Sequence, residues 1–243
     1  MASDTTHVVA PKAAHTYTVI LLHGRDSTSR EFADEFFESE ASGPLDQPRT
    51  LLDLFPNIRW VFPSASITKS KRFDVFMSQW FDIWSVENPA EQPELQQPGL
   101  HQSTQRILDI IKNEETLVPR ENIFLGGISQ GCATAITAYF ADTTRLAGFI
   151  GLCGWMPVTS HTQTHQEVTE SNHTTPIFLG HSADDDVVPI DNGRELRDIL
   201  QSRQLEVEWK EYVDGGHWIN EPQGVDDIAG FLYRYATCNN SEL

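Results

Sequence analysis

The chain has 243 residues, and its 17 Lys and Arg against 35 Asp and Glu give a net charge of −18. That excess of carboxylates argues against nucleic acid and anionic membrane surfaces as partners, because both repel it. The apolar fraction is 39%, with 13 Phe and 6 Trp, enough for the core of one α/β domain, yet no run approaches the roughly 18 apolar residues of an integral membrane segment.

The N-terminal stretch Met1–Tyr17 is polar and lacks the basic-then-apolar order of a signal peptide, so a cytoplasmic protein is expected. Residues 1–15 are expected to be a flexible segment. Thr16–Leu22 is a short β-branched, apolar run that predicts a buried strand. Ser29–Ser39 carries Phe32, Phe36 and Phe37 at helical spacing, and Trp60–Phe62 predicts a second strand, stopped by Pro63. Residues 64–84 read as irregular, and residues 88–99 as a loop, from Pro89, Pro93, Pro98 and Gly99. Gln102–Ile111 is helical in pattern. Asn122–Leu125 predicts a strand, followed by Gly126-Gly127 and a helical run, Cys132–Tyr139.

Leu146–Leu152 and Ile177–Gly180 predict further strands, separated by a Thr-, Ser-, His- and Gln-rich surface loop over 158–175. Arg194–Ser202 predicts a helix, Leu205–Val213 a strand and Val225–Tyr235 a closing helix. Strand and helix alternate throughout. The pattern predicts a single α/β domain over 1–243, with a mostly parallel central sheet, helices on both faces and no large cap. Ligand sites on such sheets lie at the carboxyl ends of the strands. Cys132, Cys153 and Cys238 are too few and too scattered for a disulfide framework or a zinc site. Without a secretion signal, the sequons at Asn172 and Asn239 read as chance matches.

Gly127-Ile128-Ser129-Gln130-Gly131 matches G-x-S-x-G. A serine aimed out of a sharp strand-to-helix turn needs minimal side chains beside it, which glycine supplies. The turn also sets Ser129 at a helix N-terminus, where partial positive charge favours a developing oxyanion. Chance gives this pattern in a chain of this length roughly once in ten. The strand before it and the helix after it therefore carry the argument. The plain alternative is that Ser129 is an ordinary helix N-cap.

A serine hydroxyl needs a base, and nine histidines are available. His7 and His15 lie in the polar N-terminal segment, His101 begins a helix, and His161, His165 and His173 fall in the polar loop. His23 and His181 directly follow strands. His217 follows the last strand through Asp214-Gly215-Gly216, and lies downstream of Ser129. Where an elbow serine works with a histidine, the chain order is serine, acid, histidine. The acid then falls in Asp184-Asp185-Asp186, after the strand Ile177–Gly180, where it would hold the imidazole in one tautomer. Spacing leaves the choice among the three open. Their mutual repulsion predicts a raised pKa on one of them.

Taken together, the segments resemble the acyl-protein thioesterases and related phospholipase/carboxylesterase-type serine esterases of the α/β-hydrolase fold. They are Leu22-His23-Gly24, Ser78-Gln79-Trp80-Phe81-Asp82, Leu125 to Gly131, Leu152-Cys153-Gly154-Trp155-Met156-Pro157, Gly180-His181 through Asp185 to Val188-Pro189, and Gly216-His217. The resemblance runs from Thr18 to about Tyr235. It implies Asp185 as the triad acid, with Asp184 the runner-up, and backbone N–H groups of Arg25 and Gln130 as oxyanion donors. It also implies that Trp80 and Trp155 frame the substrate, with plain core packing the alternative for both, while His23 structures the oxyanion loop and His181 packs at a strand end. The chain departs from the family at Arg25-Asp26-Ser27, where an apolar residue followed by Gly-Asp is usual, and in the charged stretch Lys69–Met77.

The expected activity is cleavage of a small-molecule or protein-linked acyl ester or thioester through Ser129, His217 and Asp185, with an acyl-enzyme intermediate. No metal or organic cofactor is implied. Acyl transfer or lactonisation of a carrier-bound chain uses the same triad, and an inactive small-molecule binder on the same fold is the alternative of another class.

Overall fold

The computed structural model describes residues 6–142, 144–157 and 175–237. His161, His165, His173, Cys238, both sequons and all but the last residue of the loop expected over 158–175 lie outside them. Seven strands form one sheet: β1 (His7–Val9), β2 (Tyr17–Leu22), β3 (Ile58–Phe62), β6 (Ile123–Ile128), β7 (Gly148–Leu152), β8 (Ile177–Ser182) and β9 (Val207–Tyr212). Their order is β1-β3-β2-β6-β7-β8-β9, and every ladder is parallel except β1 with β3. β4 (Ser66–Lys69) and β5 (Phe76–Gln79) pair antiparallel in a separate hairpin. Among the described residues the α-helices are α1 (Ser29–Phe36), α2 (Leu51–Leu54), α3 (Gln96–Glu114), α4 (Gln130–Ala141), α5 (Ile190–Ser202) and α6 (Gln223–Thr237).

Successive residues of a strand point to opposite faces, so a strand buried on both sides feeds two cores. Val19, Leu21, Trp60, Phe62 and Phe124 pack with Phe32, Phe36, Leu51 and Phe231 of α1, α2 and α6. Their neighbours Ile20, Leu22, Val61, Ile123 and Leu125 pack with Ile107, Ile111, Ile136 and Leu196 of α3, α4 and α5. Each such side chain, fully buried, stabilises the fold by roughly 1.5–3 kcal/mol. Helix α4 is buried on almost every side, which its Ala-rich sequence permits by letting neighbouring backbones approach closely. Helix α1 starts at Thr28, whose hydroxyl accepts the Glu31 N–H at 3.2 Å, a side-chain cap.

Several boundaries differ from the sequence expectation, and four of them bear on the fold. The N-terminal stretch is not wholly flexible, since His7–Val9 pairs with Trp60–Phe62 as an edge strand. The stretch 64–84 contains the β4–β5 hairpin; all of β4 is exposed, so no buried face marked it. Helix α3 begins at Gln96, inside the predicted loop. Pro98 sits in its first turn, where a missing N–H breaks no helical bond. Strand β6 runs on through Gly126 and Gly127 to Ile128, and delivers Ser129 directly at its carboxyl end.

Candidate active site

Ser129 has φ 56° and ψ −124°, a backbone region that side-chain-bearing residues occupy at a strain of about 1–3 kcal/mol. Main-chain bonds hold it there: its N–H donates to the Leu152 carbonyl at 2.9 Å, and its carbonyl accepts the Ala133 N–H at 3.1 Å. The turn is tight because strand and helix nearly touch. A Cβ on Gly127 would lie 2.6 Å from the Gly131 carbonyl carbon and 2.7 Å from the Leu22 oxygen, and one on Gly131 would overlap the same Leu22 oxygen. The glycines of the motif are therefore steric requirements. The Ser129 hydroxyl makes no capping bond to α4, so the ordinary N-cap does not describe it.

Asp185 is closed off from solvent and bonded at both oxygens. Its Oδ1 accepts the N–H groups of Val187 at 2.9 Å and Val188 at 2.8 Å. Its Oδ2 lies 2.7 Å from His217 Nδ1 and 3.1 Å from His181 Nε2. Burial alone would raise the Asp185 pKa, but the bonds from His181 and His217 and the Val188 N–H outweigh it and hold the carboxyl well below its usual range. The raised pKa expected from three adjacent carboxylates is thus not what Asp185 shows. An anionic Asp185 fixes the proton of His217 on Nδ1, which leaves Nε2 as the basic nitrogen. Asp184 bonds elsewhere. Its Oδ1 accepts the Gly216 N–H at 2.8 Å and ties down the loop that carries His217. That loop needs both glycines, Gly215 at φ 125° and Gly216 at φ 61°.

The segment after β2 passes beside Ser129. A Cβ on Gly24 would lie 3.5 Å from Ser129 Cβ, which brings the Arg25 and Gln130 backbones to the same end of the sheet as Ser129. His23 fastens this segment. Its Nε2 accepts the Ala65 N–H at 3.0 Å, so Nδ1 carries the proton and donates to the Gly24 carbonyl at 2.6 Å. Burial dominates and pushes its pKa down to about 4. Trp80 Nε1 donates to the His23 carbonyl at 2.8 Å, and the Asp26 N–H donates to the Ser78 carbonyl at 2.7 Å.

A cleft of about 180 Å³ brings Ser129, His217 and Arg25 together with Phe32, Glu35 and Trp218. Trp80 and Trp155 are not among its lining residues; they are 2% and 1% exposed. Both pack in the core, Trp155 edge-on to Phe81. Phe32, Glu35 and Trp218 were not singled out in the sequence. Trp218 had a signal, its place directly after His217, whereas Phe32 read only as a core position of a helix.

Cys153, His181 and Asp185 present ligand atoms within 4.8 Å of one another, the one such group of three among the described residues. Burial holds the Cys153 thiol far above its usual pKa, with Asp185 adding to the effect. Asp185 Oδ2 is the atom that holds His217, so an ion bound there would compete with that bond. Burial also lifts Cys132, under the elbow, to about 12, which keeps it a protonated, unreactive thiol.

The model of the phospholipase/carboxylesterase family matches residues 3–236. The chain belongs to that family. It is 30% identical over 228 residues to acyl-protein thioesterase 1 of Yarrowia lipolytica, covering 92% of this chain and 94% of that one. It is 29% identical to a probable SOBER1-like carboxylesterase of Arabidopsis thaliana, covering 83% and 78% of the two chains. Among solved structures, Arabidopsis thaliana SOBER1 superposes with a TM-score of 0.77 at 23% identity, over 91% of this chain and all of that one. Acyl-protein thioesterase 2 of Zea mays superposes at 0.75 and 24% identity, over 96% and 99%. These superpositions agree with the α/β-hydrolase fold expected from the sequence. No helix among the described residues is long and apolar enough to cross a membrane.

Proposed function

We propose that this member of the phospholipase/carboxylesterase family hydrolyses acyl esters or thioesters with Ser129 as nucleophile, His217 as general base and Asp185 as the acid that orients it. The observation that carries this assignment is one cleft containing both the strained Ser129 and His217, with the latter bonded to a buried anionic Asp185.

His217 Nε2 takes the Ser129 proton as Oγ attacks the acyl carbonyl. The Arg25 and Gln130 N–H groups, with the N-terminus of α4 behind the second, stabilise the oxyanion. The tetrahedral intermediate collapses to an acyl-Ser129 ester, and His217 passes its proton to the departing alcohol or thiol. Water, deprotonated by His217, then releases the acid and restores Ser129. The buried, unpaired thiols of Cys132 and Cys153 suit a reducing compartment such as the cytoplasm.

The test is hydrolysis of a thioester and ester series from acetyl to palmitoyl, beside labelling by a serine-directed fluorophosphonate. The expected result is turnover of at least part of the series, with turnover and labelling both lost in Ser129→Ala. A folded wild type that neither labels nor turns over would refute the assignment. Free acid as the product identifies hydrolysis, and a new ester or lactone identifies transfer.

A further inference from the structure

The cleft holds a cation that the proposed reaction leaves unexplained. The backbone of Arg25 serves the oxyanion in the mechanism above, but its side chain is not needed for that. Arg25 is half-buried and lines the cleft with Ser129 and His217. Its guanidinium carbon lies 5.3 Å from the centroid of the Phe73 ring, in the turn of the β4–β5 hairpin.

A second arginine on the same ring supplies an internal control. Arg72 also lies 5.3 Å from the Phe73 centroid, but its Nη1 is partnered: it donates to the Trp84 carbonyl at 2.7 Å and faces Glu87 at 3.6 Å. Arg25 has no such partner. Its Nη1 is shielded from water and accepted by nothing, and Arg25 makes no ion pair among the described residues. Asp26, Asp82 and Glu87 bear on it only through space, and Glu35, although it lines the same cleft, forms no ion pair with it. An arginine with a buried, unused donor, at a cleft that must admit substrate, is completed by an acceptor that the substrate brings.

We infer that Arg25 selects ester or thioester substrates carrying an anionic substituent, a carboxylate or similar group, close to the scissile carbonyl. The inference rests on the hydrolase assignment above and adds the substrate class to it. The guanidinium offers paired N–H donors to a planar anion, which an ammonium does not match. The stack on Phe73 aims it without using its donors.

The test compares substrates matched in all but charge. Mono-para-nitrophenyl adipate against para-nitrophenyl hexanoate places the anion on the acyl half. Para-carboxyphenyl hexanoate against para-carbamoylphenyl hexanoate places it on the alcohol half. The readout is the anionic-to-neutral ratio of kcat/KM, which divides out any loss from a displaced oxyanion donor in an Arg25 variant. The expected wild-type ratio is roughly tenfold to a hundredfold in favour of the anion in at least one pair. It should fall as salt is raised, drop to about one in Arg25→Gln, and be only partly retained in Arg25→Lys and Phe73→Leu.

A ratio near or below one in both pairs, or a preference that survives Arg25→Gln, would overturn the inference while hydrolysis itself stands. Failure of the wild type to cleave any of the four esters would overturn this inference, and failure to react with the fluorophosphonate as well would overturn the hydrolase assignment.

Discussion

Gln130 reaches back across the site to the main chain of Trp80: its Oε1 accepts the Trp80 N–H at 2.9 Å, while its Nε2 donates to the Phe81 carbonyl at 2.8 Å. The residue after Ser129 therefore fixes, through its own amide, the segment whose Trp80 indole holds the His23 carbonyl. Gln130→Met keeps the volume and removes both bonds, leaving two buried backbone groups unpaired. We expect roughly 2–4 kcal/mol less stability, together with a fall in kcat larger than any rise in KM. Urea unfolding and steady-state kinetics check this; an unaltered kcat would show that the clamp serves folding alone.

Asp185 and Asp184 are neighbours with separate duties, and their amides should behave differently. Asp185→Asn places a neutral group against His217 and favours the wrong tautomer, so kcat should fall by about ten-thousandfold. Asp184→Asn disturbs only the hold on the Gly216 N–H, so its loss should stay within about tenfold. Comparable losses in the two variants would contradict the assignment of the acid.

The elbow admits no added carbon at its second glycine. Gly131→Ala drives a methyl into the Leu22 carbonyl between β2 and α4. The expected loss is about 3 kcal/mol or more, with activity gone even where folding survives. Thermal melting and fluorophosphonate labelling of the folded fraction are the measurements, and a melting point within a degree or two of wild type would rule out the close approach.

His23 links stability to pH. Its pKa is about 4 in the fold and 6.5 as the ordinary value, so between these limits the unfolded chain binds the extra proton. The stabilisation from neutral His23 is complete above pH 6.5 and is lost as pH falls toward 4, by about 3 kcal/mol in all. Asp185, held below its usual range, acts in a lower window: its contribution is present above about pH 4 and is lost on further acidification. Urea midpoints at pH 7, 5.5 and 4.5 should show the His23 slope in wild type and a flatter line in His23→Gln. Parallel lines would mean that another group carries the acid sensitivity.

The sequence was most legible where burial was complete. Strands β2, β6 and β8 are buried at every residue, so apolar runs marked them, and the elbow was legible because close backbone approach admits only glycine. The hairpin was hidden because an exposed, twisted ribbon needs no apolar face. The start of α3 was hidden because Pro98 and Gly99 read as breakers, although a first turn tolerates proline. The choice between Asp184 and Asp185 turns on where two adjacent carboxylates point, which is a property of the turn and not of residue type. The unpartnered state of Arg25 likewise required the positions of its neighbours.

Ser129 and His217 stand on parts of the sheet with different cohesion. The serine ends β6, which is paired on one side with β2 and on the other with β7, between two cores. The histidine follows β9, which terminates the sheet and has β8 as its one ladder partner, through a turn with two glycines at positive φ. Amides around Ser129 should therefore exchange with solvent only when the whole molecule unfolds, while those of 213–217 exchange through opening of the margin alone. On heating, the margin that carries His217 should come apart first. Catalysis should then fade several degrees below the loss of helical ellipticity, and return on cooling for as long as the centre has not melted.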